Sequence, residues 1–460
     1  MHRLGGFDST MLVFESSVQP MHACSLAELD ISTMPGGYSF KAFRDTLLER
    51  THALPEFRAK LADSALNLDT PVWVEDFDFD IDRHVHRIEL PAPGSRRELS
   101  EVVGRLAATP LERDRPLWDI SLIEGVSGTD PTVSGRIAAV IRTHHVFADG
   151  LTAGNLWAQL YAADAVAAPP ERVEGFGHVG NREIAIDGLK RFVRRPWYLV
   201  ARVLPAMLMA LFKTIVRVAR GRAMAAPFAA PRIPFNGNLT EHRTVAYTRL
   251  GLDDVKAVKN KFGVKVNDVL LAVVAGASRD YLLSRSALPK DPLIALIPMS
   301  VHDEKSLSRN QFAPIWSSLH THLSDPAERI KAIAASSAIA KEHSSAIGVT
   351  LLQDAAEVAP SLPPAIMRLY ARVGLSSRRP VYNVSLSNVV GVQGEILGAR
   401  IIANYPFGPV MNGAGLNVTA ASLDGNIDVG LISCPELLPD LWDLAEGFPA
   451  ALRELMDAAP

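Results

Sequence analysis

The spacing of apolar and polar positions divides the chain into two stretches of mixed helix and strand around a basic, apolar middle. In residues 1–165, Phe43, Leu47, Leu48 and Leu54 recur at helical spacing within KAFRDTLLERTHALPEFRAKL, whereas TPVWVEDFDFDIDRHVHRIEL alternates as a strand does. SRRELSEVVGRLAATPLERDRPLW predicts a helix stopping near Pro110 and Pro116. GRIAAVIRT predicts a buried strand and LTAGNLWAQLYAADAVAA a helix. From about 241 the pattern resumes. HRTVAYTRLGL is strand-like, DDVKAVKNKFG is a helix ending at Gly263, and VNDVLLAVVAGASRDYLLSRS is a long helix that Asn267 or Asp268 can cap. DPLIALIPMSV predicts a strand and DPAERIKAIAASSAIAKEHS a helix. Three strand patterns between 381 and 432 and a C-terminal helix follow.

This alternation predicts an α/β protein. At 460 residues the chain exceeds one compact core, so two domains are expected, 1–165 and 241–460, joined by a linker over 166–240. The linker opens on turn-rich AAPPERVEGFGHVGNRE. Its formal G-x-G-x-x-G at 175–180 follows a Pro-Pro pair rather than a strand, which argues against a dinucleotide site. LKRFVRRPWYLVARVLPAMLMALFKTIVRVARGR comes next, with nine basic residues and no acid. Its uncharged run, Val203 to Phe212, is short for a bilayer span and contains Pro205. Three readings stand: a helical pair packed on the body, a segment lying in the membrane interface with Arg and Lys on anionic headgroups, and, last of the three, a spanning helix.

Composition adds boundaries. A formal charge of −3 gives no reason to expect nucleic acid. Cys24 and Cys434 cannot build a disulfide framework or a C-x-x-C metal site, which suits a reducing cytoplasm. The first residues lack the basic and apolar regions of a secretory signal.

The chemistry concentrates in RTHHVFADG at 142–150. If 136–145 is a strand, Ile137, Ala139, Ile141, Thr143 and His145 share one face, and Arg136, Ala138, Val140, Arg142 and His144 the other. Adjacent histidines then point apart, which argues against a shared metal, and no H-E-x-x-H supports zinc. The apolar parity makes His145 the candidate base, kept neutral by desolvation, with His144 as support. Asp149 suits a helix N-cap or an arginine partner, and Gly150 a sharp turn. On these residues alone, a structural histidine pair and a catalytic one stand level.

Several stretches together resemble the bacterial wax ester synthase/diacylglycerol acyltransferase family of the coenzyme-A-dependent acyltransferase superfamily. HHVFADG fits its H-H-x-x-x-D-G signature. PVWVEDFDFDIDRHV, DRPLWDISLIEG, VNDVLLAVVAGASRDYL and SLSNVVG occur in family-like order, from Met21-His22 to Leu437-Leu438-Pro439-Asp440. The resemblance implies two chloramphenicol-acetyltransferase-like domains, each a mixed sheet with flanking helices, and an active-site tunnel between them. It implies transfer of a long-chain acyl group from acyl-CoA to diacylglycerol or a long-chain alcohol, with His145 as general base and no covalent acyl-enzyme. Acyl-CoA is a substrate, and no cofactor or metal is implied. Asp149 would hold the site by pairing with an arginine. Pro116, Leu117 and Trp118 match a motif that lines the channel, and Asn267, Asp268, Ser387 and Asn388 are candidate substrate-binding residues. Core packing for Trp118 and capping or turn chemistry for the four polar residues are the structural alternatives. Departures from the pattern are Ser387-Asn388-Val389-Val390-Gly391 for SNVPG, Arg309-Asn310 for Gly-Asn, and Leu423 for a tyrosine. The expected location is the cytoplasm, peripherally on a membrane or lipid body. The rival functions are condensation-type transfer to a polar alcohol and non-catalytic lipid binding.

Overall fold

The computed structural model describes residues 1–34, 36–126, 136–147, 150–161, 176–300, 312–348, 351–360, 362–390 and 394–458. Two six-stranded mixed sheets organise these residues into an α/β fold. The first runs, in spatial order, Glu395–Ile396, Ala399–Phe407, His22–Asp30, Arg136–His144, Trp118–Val126 and Val85–Glu89. The second runs Phe312–Ser318, Ile294–Ser300, Val384–Val390, Leu416–Leu423, Asn426–Ser433 and Thr244–Gly251. Helix Arg96–Ala108 lies between them. Its Leu99, Val102 and Val103 pack with Leu26, Ala138 and Val140 of the first sheet and with Val245 and Tyr247 of the second. The opposite face of the first sheet buries Ala139 and Ile141 with Phe57, Trp118 and Trp157.

The sheets do not follow chain order. Ala399–Phe407, from the C-terminal half, pairs antiparallel with His22–Asp30 in the first sheet. It also packs against Leu416–Leu423 and Asn426–Ser433 of the second. Gly430 permits this close crossing, because a Cβ there would lie 2.1 Å from the carbonyl oxygen of Pro406. A charged clasp reinforces it: Arg249 donates to Asp428 (2.6 Å) and to the carbonyl of Ile402 (2.7 Å), and Asp428 accepts from the amide of Asn404 (2.7 Å). Strand periodicity tells which side chains share a face but not which sheet receives them.

Local signals translated well where they were local. Ser95 and Glu98 form a capping box on Arg96–Ala108, and Leu252–Phe262 ends on Gly263 at φ 67°. The helix expected over 41–61 instead ends at Arg50, and 3₁₀ turns and strand Ala59–Ala62 follow. Pro55 removes a helical donor and its ring opposes the Thr51 carbonyl. Helix Gly6–Phe14 was not expected. Its residues Gly6 to Leu12 are all buried, Asp8, Ser9 and Thr10 included, so no polar face marks it in the sequence.

The basic middle is one continuous helical stretch from Asn181 to Ala219, not a helical pair. A π turn at Leu199–Val203 lies between Pro196 and Pro205 and loosens the ladder enough to carry both. Because the stretch is unbroken, it is long and apolar enough to cross a membrane by length and composition, which the Val203–Phe212 run did not suggest. Val193, Trp197, Val200, Leu204, Leu208, Leu211 and Ile215 form a solvent-exposed stripe at spacings of three and four. Much of its charge is spent on the body. Arg191 and Arg195 both reach Asp69 (2.8 Å), Arg202 reaches Asp354 (3.5 Å), Arg217 reaches Glu342 (3.1 Å), and Lys213 donates to the carbonyl of Ala346 (2.7 Å). Five of the nine basic residues are thus bonded to the body of the protein.

Candidate active site

Strand Arg136–His144 is central in the first sheet, and both its faces are covered. His144 is its last residue, opposite His22 on the neighbouring strand, and His145 opens the turn that follows. The amide of His145 donates to the carbonyl of Met21 (2.8 Å), and that of His144 to the carbonyl of Leu117 (3.0 Å). The histidine pair is thus held by backbone on both sides. Helix Gly150–Tyr161 folds back so that the Trp157 indole donates to the Thr143 hydroxyl (3.0 Å). His144 is fully buried and His145 half-buried. Strand parity gives His145 the apolar face, yet His144 is the more shielded, because helices Arg96–Ala108 and Gly6–Phe14 cover the other face.

The fixed histidine is His144. Its Nδ1 accepts from the amide of Val146 (3.1 Å), so the ring carries its proton on Nε2 and donates to Glu15 Oε1 (3.2 Å). Glu15 caps the end of helix Gly6–Phe14 and takes two further bonds from Arg113, at 2.9 and 2.5 Å. Burial would raise this carboxyl, but His144 and Arg113 outweigh it and hold it near 2. Glu15 escaped the sequence reading. It lies 129 residues from His144, and the one signal for it was its place just ahead of Met21-His22.

His22 completes the polar cluster. One ring nitrogen donates to the carbonyl of Ala107 (3.0 Å), and the other has no partner among the described residues. Burial first, then electrostatic repulsion from Arg142 and His144, lowers its pKa to about 3. His84, stacked on Trp118, is lowered by burial to about 4. Both values lie below the ordinary 6.5, so unfolding takes up protons. The stabilisation is full above pH 6.5 and is lost as pH falls toward 4 and then 3. Each residue contributes a slope of up to about 1.4 kcal/mol per pH unit. His320 and His343 are lowered by burial as well, so His22→Gln is expected to reduce, not abolish, the loss of stability between pH 6.5 and 4.5, measured by urea unfolding. An unchanged slope would contradict it.

Arg142 is claimed by Asp119, with bonds of 2.9 and 2.5 Å, and donates also to the carbonyls of Leu106 (2.6 Å) and Thr109 (2.5 Å). Asp149 lies outside the described residues, and Gly150 begins the helix that follows it. Pro116, Leu117 and Trp118 are buried. The Trp118 indole donates to the carbonyl of Phe57 (2.8 Å), and Leu117 acts on the histidines through its backbone. Asp268 is buried and accepts from the amide of Lys265 (2.9 Å), a helix cap, while Asn267 beside it is half-buried. Ser387 is half-buried and Asn388 exposed on Val384–Val390, a strand that touches helix Gly150–Tyr161. Ser387 also borders a narrow apolar cleft with Leu270, Val273 and Phe448. The fold therefore brings the Ser387 strand to the histidine motif's helix and leaves Asp268 as a cap. Arg309, Asn310 and Gly391 lie outside the described residues, and Leu423 is buried with Ile141, Trp118 and Trp157 against the first sheet.

Two mixed sheets stitched by a crossing strand, with a histidine pair at the end of a central strand, form an α/β architecture shared with other solved chains. The first condensation domain of the CDA synthetase shares this fold at a TM-score of 0.58 and 15% identity, over 100% of this chain and 96% of that one. The family model for the wax ester synthase/diacylglycerol acyltransferase catalytic domain matches residues 4–270, and the model for the C-terminal domain of that family matches 309–456. The chain belongs to the wax ester synthase/diacylglycerol acyltransferase family and is an acyltransferase. A Mycobacterium tuberculosis protein named as a diacylglycerol O-acyltransferase is 45% identical over 100% of this chain and 91% of its own length. Another from that species, similarly named, is 32% identical over 98% of each. The wax ester synthase/diacylglycerol acyltransferase structure from Marinobacter aquaeolei VT8 superposes at a TM-score of 0.70, with 27% identity and full coverage of both chains.

Proposed function

We propose that this enzyme moves a long-chain acyl group from acyl-CoA to diacylglycerol, to a long-chain alcohol, or to both, with His145 as general base. The observation that carries the reading is the His144–Glu15 bond together with the backbone bonds that the two histidine amides donate to the carbonyls of Met21 and Leu117, which immobilise the strand end where His145 begins. The His145 imidazole takes the proton of the acceptor hydroxyl as its oxygen attacks the thioester carbonyl. The tetrahedral oxyanion then collapses, the C–S bond breaks, and the CoA thiolate recovers the proton from the imidazolium, leaving ester and free CoA. Asp149 and Gly150 are proposed to shape the turn behind His145. Ser387 and Asn388, with Pro116, Leu117, Trp118 and Asn267, are proposed to border a tunnel between the sheets. In this reading 1–165 and 241–460 form the two catalytic units, with strand Ala399–Phe407 shared between them. Purified enzyme given palmitoyl-CoA and each acceptor separately, with products resolved by chromatography, tests the assignment. CoA release without ester would point to hydrolysis instead.

Glu15 is proposed as a positioning residue. A hydrogen bond to a charged group contributes about 1.5–3 kcal/mol, so Glu15→Ala is expected to lower kcat about ten- to hundredfold. The KM for acyl-CoA should stay unchanged and Glu15→Gln, which keeps an acceptor for His144, should recover part of the loss. A purely structural role would move stability and leave kcat intact.

We also propose peripheral attachment to a membrane or lipid body through the exposed stripe of Asn181–Ala219, with the protein otherwise in the cytoplasm. Ion pairs from Asp187–Arg3 at one end to Arg217–Glu342 at the other tie this stretch lengthwise to the body. That supports lying in the interface rather than crossing it.

A further inference from the structure

A second basic, apolar element lies against the N-terminal helix that ends at Glu15. Between Val358 and Gly394 the sequence has no Asp or Glu, and four arginines stand at 368, 372, 378 and 379. Helix Leu362–Arg372 presents Ile366 and Leu369 to solvent, continued by Val373 and Leu375 beyond its end, and all four are at least 43% exposed. Ile366, Leu369 and Val373 follow at spacings of three and four. Phe228, where the linker leaves its long helix, is 47% exposed at φ 68° and packs edge-on against Tyr370, 5.2 Å between centroids. A bulky residue at positive φ is strained, and here the strain sets an aromatic ring beside the apolar row.

This element is anchored at the site. Arg368 donates to the carbonyls of Val13 and Glu15, the last turn of helix Gly6–Phe14. That helix packs also on Leu351–Val358, which touches the long linker helix. The two exposed apolar rows therefore flank one helix, the one carrying the partner of His144.

We infer that Leu362–Arg372, with Val373, Leu375 and Phe228, docks on an anionic phospholipid surface and seats the acyl-transfer site against it. Arg372, Arg378 and Arg379 are exposed around the apolar row with no carboxylate in the segment, a pattern complementary to lipid phosphates over acyl chains. A second copy of the chain would bring arginine against arginine across a two-fold axis. The inference extends the proposed peripheral attachment but stands on residues outside the linker helix.

The test uses the full chain and vesicles of phosphatidylcholine with or without phosphatidylglycerol. Ile366→Glu/Leu369→Glu/Val373→Glu is expected to lower partitioning onto anionic vesicles at least about tenfold, each change removing apolar contact and adding repulsion. Turnover of a short-chain alcohol in solution should match the unaltered protein. Arg372→Gln/Arg378→Gln/Arg379→Gln keeps the apolar row and should lose the preference for anionic over neutral vesicles, which carries the test if the glutamates disturb folding. Unchanged vesicle binding in both variants would overturn the inference. So would a dimer in solution that the glutamates dissociate. Absent ester formation with vesicle binding intact in the unaltered protein would instead refute the acyl-transfer reading alone.

Discussion

With alanine at position 145, ester formation from acyl-CoA is expected to fall about 10²- to 10⁴-fold, the range in which a positioned general base contributes. The loss should appear in kcat and kcat/KM together, because the proton transfer exists only in the transition state. Folding should survive, since His145 is half-buried at a turn and the backbone amide that bonds Met21 is kept in alanine. His144→Ala provides the contrast. It removes a fully buried ring, leaves the Val146 amide without its partner and Glu15 held by Arg113 alone, so it should lower stability as well as activity. Measuring ester product and thermal unfolding for both variants separates the roles. A His145→Ala enzyme that still turns over near the normal rate would exclude His145 as the base.

Asp119→Ala is expected to cost about 3–5 kcal/mol of stability, because it strands a buried guanidinium. Both partners are only 8% exposed, and Arg142 stands two residues before the histidine pair. Replacing both, as Asp119→Leu with Arg142→Met, should recover much of the loss, since a buried ion pair gains little over well-packed apolar side chains. Residual loss in the double variant would measure what Arg142 contributes by holding the carbonyls of Leu106 and Thr109. Urea unfolding of the two variants decides it, and a cost below about 1 kcal/mol for the single change would show the pair to be solvated in solution.

The motif strand shows how far periodicity reaches. Alternation within GRIAAVIRT correctly separated Ala139 and Ile141 from Ala138 and Val140, which enter different cores. It could not rank the histidines by burial, because that depends on which helices cover each face. Helix Gly6–Phe14 was illegible for the same reason: buried all round, it has no polar side to set a period. The arginines of the linker read as a free cationic face until their partners at Asp69, Asp354 and Glu342 were in view.

The sequence by itself determined the α/β alternation, the helix end at Gly263, the strand ending in adjacent histidines, and the family to which they belong. Such features are encoded within one turn or one strand, where backbone geometry and side-chain period act over a few residues. Only the tertiary structure decided that Ala399–Phe407 joins the first sheet, that Asp119 takes Arg142, and that Glu15 holds His144. Those choices are made by close packing between segments far apart in the chain, and a local pattern carries no record of which distant partner will fill the space.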